Sequence, residues 1–273
     1  MNRALSAEQV QQYETTGVVF PVSAISSNEL NYFQDAFNRI ETFAGGRQKY
    51  TAQPHLFFAW AWELATLPRL LDAAEDLLGP ELVIDSTLLL CKYPHDPAFA
   101  PWHQDGVRSA WHLTPSVSAW IALSDATREN GCMRVIPGSQ RHGRIAHSES
   151  DAENSLFGPM EEIRVEVHED QAQYVTLVAG ESSFHHSNIV HGSPPNHSDA
   201  KRISLIVRFV TPLFQHRRAT FPVIQARGNG DLGTLQAVET LPCGDIEECF
   251  HRWQAFVLGT PRLPRDPEEV KRQ

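Results

Sequence analysis

The chain has 273 residues, 41% of them hydrophobic, and its 14 Phe and 6 Trp suffice for a sizeable core. A formal charge of −10 leaves no basic excess to neutralise phosphates and argues against nucleic-acid binding. The longest apolar runs, such as LLLC at 88–91, are far too short to span a bilayer.

In chain order, the first eighty residues read helical. Ser6 and Gln9 form a capping-box pattern that opens a short helix ending near Gly17. Ser26 and Glu29 repeat the pattern before Leu30, Phe33, Phe37 and Ile40, which fall at helical spacing up to Gly45 and Gly46. HLFFAWAWELATL and PRLLDAAEDLL predict two further helices, with Pro68 placed at a helix start. From residue 82 the texture changes. ELVIDSTLLLCKYP, SVSAWIALSDA, GCMRVIPGS, YVTLVAGESSFHH and RISLIVRFV are short, rich in β-branched and aromatic residues, and separated by Gly, Pro, Asn and Asp. Such spacing predicts a sandwich, barrel or jelly roll. The polar segment 143–170 reads as a long insertion or lid, and DIEECFHRWQAFVLG as a short helix near the end. No composition break divides the chain. The expectation is one domain over 1–273: helical support over 1–80, a β core over about 82–212 and an extension over 213–273.

Cys91, Cys132, Cys243 and Cys249 show no paired metal spacing, and MNRALSAEQVQQYE contains no apolar signal core. A reduced, cytoplasmic protein is therefore expected.

Chemistry-bearing residues concentrate in three places. PWHQDGV sets His103 and Asp105 two residues apart, so both face the same way in an extended segment. With 13 histidines in the chain, an H-x-D pair alone is equally well a surface turn before Gly106. SSFHHSNIVHGSPPNHSD clusters His185, His186, His191 and His197, any of which taken singly reads as a hydrogen-bonding loop residue. Two imidazoles and one carboxylate on one face of an octahedron nevertheless suit non-haem Fe(II), with the third ligand supplied by a distant histidine. In KRISLIVRFV, alternation puts Arg202, Ser204 and Ile206 on one face and Ile203, Leu205 and Val207 on the other. An arginine in an apolar strand is either an edge residue over a rim carboxylate or a buried guanidinium awaiting an anion.

These stretches, in this order, resemble the phytanoyl-CoA dioxygenase family of Fe(II)/2-oxoglutarate oxygenases. The likeness runs from EQVQQYETTGVVFP through WHQDG and AWIALSDATRENGCMRVIPGSQRHG to AGESSFHHSNIVHGSPPNHSDAKRISLIVRF, ending near residue 212. ENGCMRVIPGSQRHG and HGSPPNHS are its most specific parts. The resemblance implies a double-stranded β-helix, a jelly roll mainly of β structure with flanking helices. It implies iron held by His103, Asp105 and His191, and Arg202 on the distal carboxylate of 2-oxoglutarate. Ser193, Ser204, Trp120, Lys92 and Gln104 are further co-substrate candidates, while His185, His186 and His197 match no ligand position.

The implied activity is an Fe(II)- and 2-oxoglutarate-dependent dioxygenase that uses O2, releases succinate and CO2, and hydroxylates its substrate. Halogenating relatives carry Gly or Ala in place of the carboxylate ligand, so Asp105 argues against halogenation. Arg108, His112, Arg134 and Arg144 are candidates for substrate contact, although each taken singly also reads as solvated surface. No long basic surface awaits a CoA nucleotide, so a small polar metabolite is expected: an amino acid, an aminophosphonate or a natural-product intermediate. The alternatives are desaturation or cyclisation at the same site, or a non-catalytic metal-binding jelly-roll sensor. A monomer or homodimer is expected, with no nucleic-acid or membrane partner.

Overall fold

The computed structural model describes residues 3–105, 115–150, 153–156, 160–213, 222–233, 235–242 and 244–259. Helices α1 (Ala7–Thr16), α2 (Ser27–Ala44), α3 (Ala59–Ala65) and α4 (Pro68–Leu78) precede most of the strands. Both predicted capping boxes form, on Ser6 with Gln9 and on Ser26 with Glu29, and Gly17 and Gly45 close their helices in the left-handed region. Pro68 occupies the first turn of α4, where a missing N–H costs nothing.

The first eighty residues are not wholly helical. VVFPVS forms β1 (Val18–Ser23), and YTA forms β2 (Tyr50–Ala52). β1 lies at the edge of the larger sheet, antiparallel to β10 (Glu181–His186), with an irregularity between Val19 and Val22 that accommodates Pro21. A short strand containing proline carries little local signal, and its pairing partner lies far along the chain.

The larger sheet runs in the order β1, β10, β5 (Ser116–Ala122), β12 (Arg202–Val210), β3 (Leu82–Lys92), β13 (Pro222–Arg227) and β14 (Gln236–Ala237), with β2 also paired to β3. It therefore recruits strands from both the helical region and the C-terminal extension. A smaller sheet has the order β4 (Ala100–His103), β11 (His191–Ser193), β6 (Met133–Val135) and β9 (Gln173–Val175). The expected insertion at 143–170 contains a two-stranded ribbon, β7 (His147–Ser150) with β8 (Met160–Ile163). The chain is mainly β with flanking helices, as expected. The C-terminal helix is α5 (Ile246–Gly259).

Two cores follow from the two-residue period of the strands. The outer face of the large sheet sets Ile203, Leu205, Val207, Phe209, Ile121 and Phe184 against Phe37, Ile40, Leu64 and Leu70 of the helices. Its inner face joins Leu88, Leu90, Trp120 and Ile206 to Met133, Val135 and Val175 of the small sheet. The candidate site lies between the sheets.

Candidate active site

β4 and β11 pair so that His103 and His191 stand directly opposite each other, with ring centroids 4.1 Å apart. Gly192 permits this approach, because a Cβ there would lie 2.9 Å from the carbonyl oxygen of Ala100. Each imidazole is fixed by the carbonyl two residues before it: His103 Nδ1 donates to Pro101 at 2.7 Å and His191 Nδ1 to Ile189 at 3.0 Å. A carbonyl can only accept, so the proton sits on Nδ1 and the Nε2 lone pair is left for another atom. Burial lowers the pKa of both rings, most strongly for His191, where His103 adds to the effect. Both are neutral at pH 7.

Asp105 completes the group. Its Oδ1 lies 4.0 Å from His103 Nε2 and 3.9 Å from His191 Nε2. The three residues offer ligand atoms within 4.8 Å of one another. Two neutral imidazoles and one carboxylate match the donor chemistry of non-haem Fe(II).

The carboxylate is gripped by one row of the large sheet. Ser118 sits opposite His185 on one side and Arg208 on the other, so three adjacent strands present their side chains at one level. Ser118 Oγ donates to Oδ2 at 2.8 Å, His185 Nε2 lies 3.4 Å from Oδ2, and Arg208 Nη2 lies 2.7 Å from Oδ1. Burial works against the charge of Asp105, but Arg208, His185 and His191 outweigh it and hold the carboxyl well below the usual range. Sequence reasoning missed Ser118 and Arg208 and left His185 as a hydrogen-bonding residue. Extending the alternation in RISLIVRFV by one more step gives Arg208 the same face as Arg202.

Arg202 marks the closed end of the cavity. It is 1% exposed on a central strand, which removes the edge-strand reading. Nη1 donates to Gly131 O at 3.0 Å, and the guanidinium stacks 5.3 Å from the centroid of Trp120. Burial lowers its pKa to about 10, so it stays charged at pH 7. Lys92 is its direct cross-strand neighbour and donates to Ser193 Oγ at 2.7 Å. Burial, aided by Arg202, pushes the Lys92 pKa well down. Arg202 Nε and Ser204 Oγ are buried without a protein partner. Orphaned donors beside a buried cation suit a carboxylate ligand, as 2-oxoglutarate requires.

The remaining candidates lie apart. Gln104 spends its amide on backbone, accepting from Ile145 N and donating to Gly143 O and Asn188 O. It ties the H-x-D segment to two loops. Arg134 pairs with Glu169 at 2.7 Å and stacks on Trp102. Arg144 is exposed. Arg108 and His112 lie outside the described residues.

Among the described residues, no helix is long and apolar enough to cross a membrane. Residues 2–204 match the phytanoyl-CoA dioxygenase (PhyH) family. The chain is 24% identical over 238 residues to the peroxisomal phytanoyl-CoA dioxygenase of Bos taurus, covering 76% of this chain and 69% of that one. It is 28% identical over 193 residues to L-proline trans-4-hydroxylase of Streptomyces griseoviridis, covering 59% and 70%. Its fold resembles that of the non-heme monooxygenase ThoJ, with a TM-score of 0.75, 28% identity, and 97% and 98% of the two chains covered. The chain belongs to the phytanoyl-CoA dioxygenase family and is an Fe(II)/2-oxoglutarate-dependent dioxygenase.

Proposed function

We propose that this enzyme hydroxylates a small polar metabolite, such as an amino acid, an aminophosphonate or a natural-product intermediate, with release of succinate and CO2. The observation that carries this reading is the convergence of two neutral Nε2 atoms on Asp105 Oδ1, in a cavity whose closed end holds Arg202. In this reading His103, Asp105 and His191 hold the iron. Iron with 2-oxoglutarate supplies the oxidising chemistry when bound.

The chain's own residues do the positioning. Arg202 pairs its fork with the distal carboxylate of 2-oxoglutarate, and Ser204 Oγ adds a hydroxyl donor beside it. Lys92 orients Ser193, and Trp120 forms the wall that keeps the guanidinium flat. Ser118 and His185 hold Oδ2, while Oδ1, which Arg208 also meets, faces the two imidazoles. Bound by His103, His191 and one oxygen of Asp105, Fe(II) would keep positions for co-substrate and O2. The likeness to a proline hydroxylase supports an amino-acid-sized substrate.

The test is anaerobic reconstitution with Fe(II) and 2-oxoglutarate, then exposure to O2 with a panel of amino acids, aminophosphonates and acyl thioesters. Succinate formation driven by one compound class, with a product heavier by one oxygen, is the expected result. Loss of two hydrogens instead assigns desaturation or ring closure to the same site. Iron and 2-oxoglutarate binding without O2 consumption for any compound overturns the catalytic reading.

A further inference from the structure

We propose that His147 is a positioning residue for the metal site: from the β7–β8 ribbon it pins the backbone of Gln104, the residue between His103 and Asp105. This deepens the dioxygenase reading above and rests on it, since it concerns the ligands which that reading assigns. His103 belongs to the small sheet and faces His191, whereas Asp105 is gripped by Ser118, His185 and Arg208 of the large sheet. β4 ends at His103, so Gln104 carries the chain from one sheet toward the other. Its two soft backbone angles decide whether Asp105 Oδ1 faces the imidazole pair.

Gln104 N donates to His147 Nε2 at 3.1 Å, and His147 Nδ1 donates to Ile145 O at 2.6 Å. A backbone N–H only donates and a carbonyl only accepts, so both contacts call for the same neutral tautomer. The ring is half-buried at the base of the ribbon. There His147 pairs with the buried Ile163, and Arg164 N donates to Ala146 O at 2.9 Å. The Gln104 side chain returns the hold, its Oε1 accepting from Ile145 N at 2.8 Å and its Nε2 donating to Gly143 O at 2.8 Å. Nε2 also donates to Asn188 O at 2.6 Å, one residue before the carbonyl that fixes the His191 ring. The ribbon base and the loop leading to His191 thus meet on Gln104. Groups that hold ligands in place from behind typically set metal affinity or activity by about 10–100-fold.

The experiment titrates Fe(II) anaerobically into the metal-free protein with 2-oxoglutarate present, following the visible charge-transfer absorption. His147→Phe keeps a ring of similar size but offers no acceptor, and should weaken Fe(II) binding about tenfold or more and shift the band. His147→Gln can place an oxygen where Nε2 stands, and should stay within about threefold of wild type. If the Phe variant does not fold, His147→Asn is read in its place, because its shorter amide leaves Gln104 N out of reach. Wild-type affinity and an unshifted band in the variant without an acceptor overturn the proposal. Equal weakening in that variant and in His147→Gln also overturns it, because the acceptor is then not what matters. If wild type itself forms no charge-transfer band with Fe(II) and 2-oxoglutarate, the dioxygenase reading fails and the inference falls with it.

Discussion

β12 shows two different proteins on its two faces. Ile203, Leu205, Val207 and Phe209 look outward into a core shared with five helices, while Arg202, Ile206 and Arg208 line the cavity and Ser204 shares their inward face. The outward set is apolar throughout and stabilises by area removed from water. The inward set buries two cations and a hydroxyl, which opposes folding unless ligands or partners compensate. One strand thus separates stability from chemistry by parity alone. Substitutions on the inner face should change binding and turnover, and those on the outer face should change stability.

The sharpest break of that comparison comes from the convergent group. His103→Ala and Asp105→Ala should each reduce substrate-dependent succinate to background while the folded state survives thermal melting; near-wild-type turnover in either variant would remove it from the ligand set. Next in size, Arg202→Met should weaken 2-oxoglutarate binding by about 100-fold or more, since a buried charge loses its partner. A titration of the metal-loaded protein reads this directly, and an unchanged affinity would reassign the closed end of the cavity.

On the outer face, Leu205→Ala should cost about 2–5 kcal/mol in urea unfolding with little change in 2-oxoglutarate affinity at saturating metal. A loss of affinity without a loss of stability would invert the comparison. A smaller effect follows from His55, which is fully buried beneath the outer face and hydrogen-bonded to Thr87. Burial lowers its pKa from 6.5 to about 3. Between these values the unfolded chain takes up a proton that the folded chain refuses. The contribution is therefore present above pH 6.5 and lost as pH falls, by about 2 kcal/mol at pH 5. Urea titrations of wild type and His55→Gln across pH 5–7.5 should differ in slope by that amount; parallel slopes would place the acid sensitivity elsewhere. Smallest of all, Arg134→Gln should shift stability by less than about 1 kcal/mol, because its partner Glu169 is mostly exposed. A tenfold or larger change in substrate preference would return Arg134 to the substrate clamp that its sequence position suggested.

What the sequence made legible was what is local. The capping boxes, the period-two runs and the switch from helix to strand near residue 82 are all written within windows of a dozen residues. The tautomers of His103 and His191 were not read from the sequence, although each ring is held by a carbonyl only two residues away. What stayed hidden is register. Ser118, His185 and Arg208 meet Asp105 because three strands, distant in sequence, align at one level. Nothing near any one of them announces the other two. β1 escaped for a related reason: VVFPVS is a strand by virtue of its partner β10, not of its own pattern.

The nine-residue span of β12 also limits how this pocket can diversify. Both arginines reach the cavity only because they occupy even steps along one strand. Inserting or deleting a single residue between 202 and 208 would turn one arginine into the helix-packed core and bring an aliphatic side chain into the cavity. Lineages that acquire new substrates on this scaffold must therefore do so by exchanging side chains at fixed length, or by remodelling the loops at the strand ends. Length changes should be purged from β12 and tolerated in the connections around it.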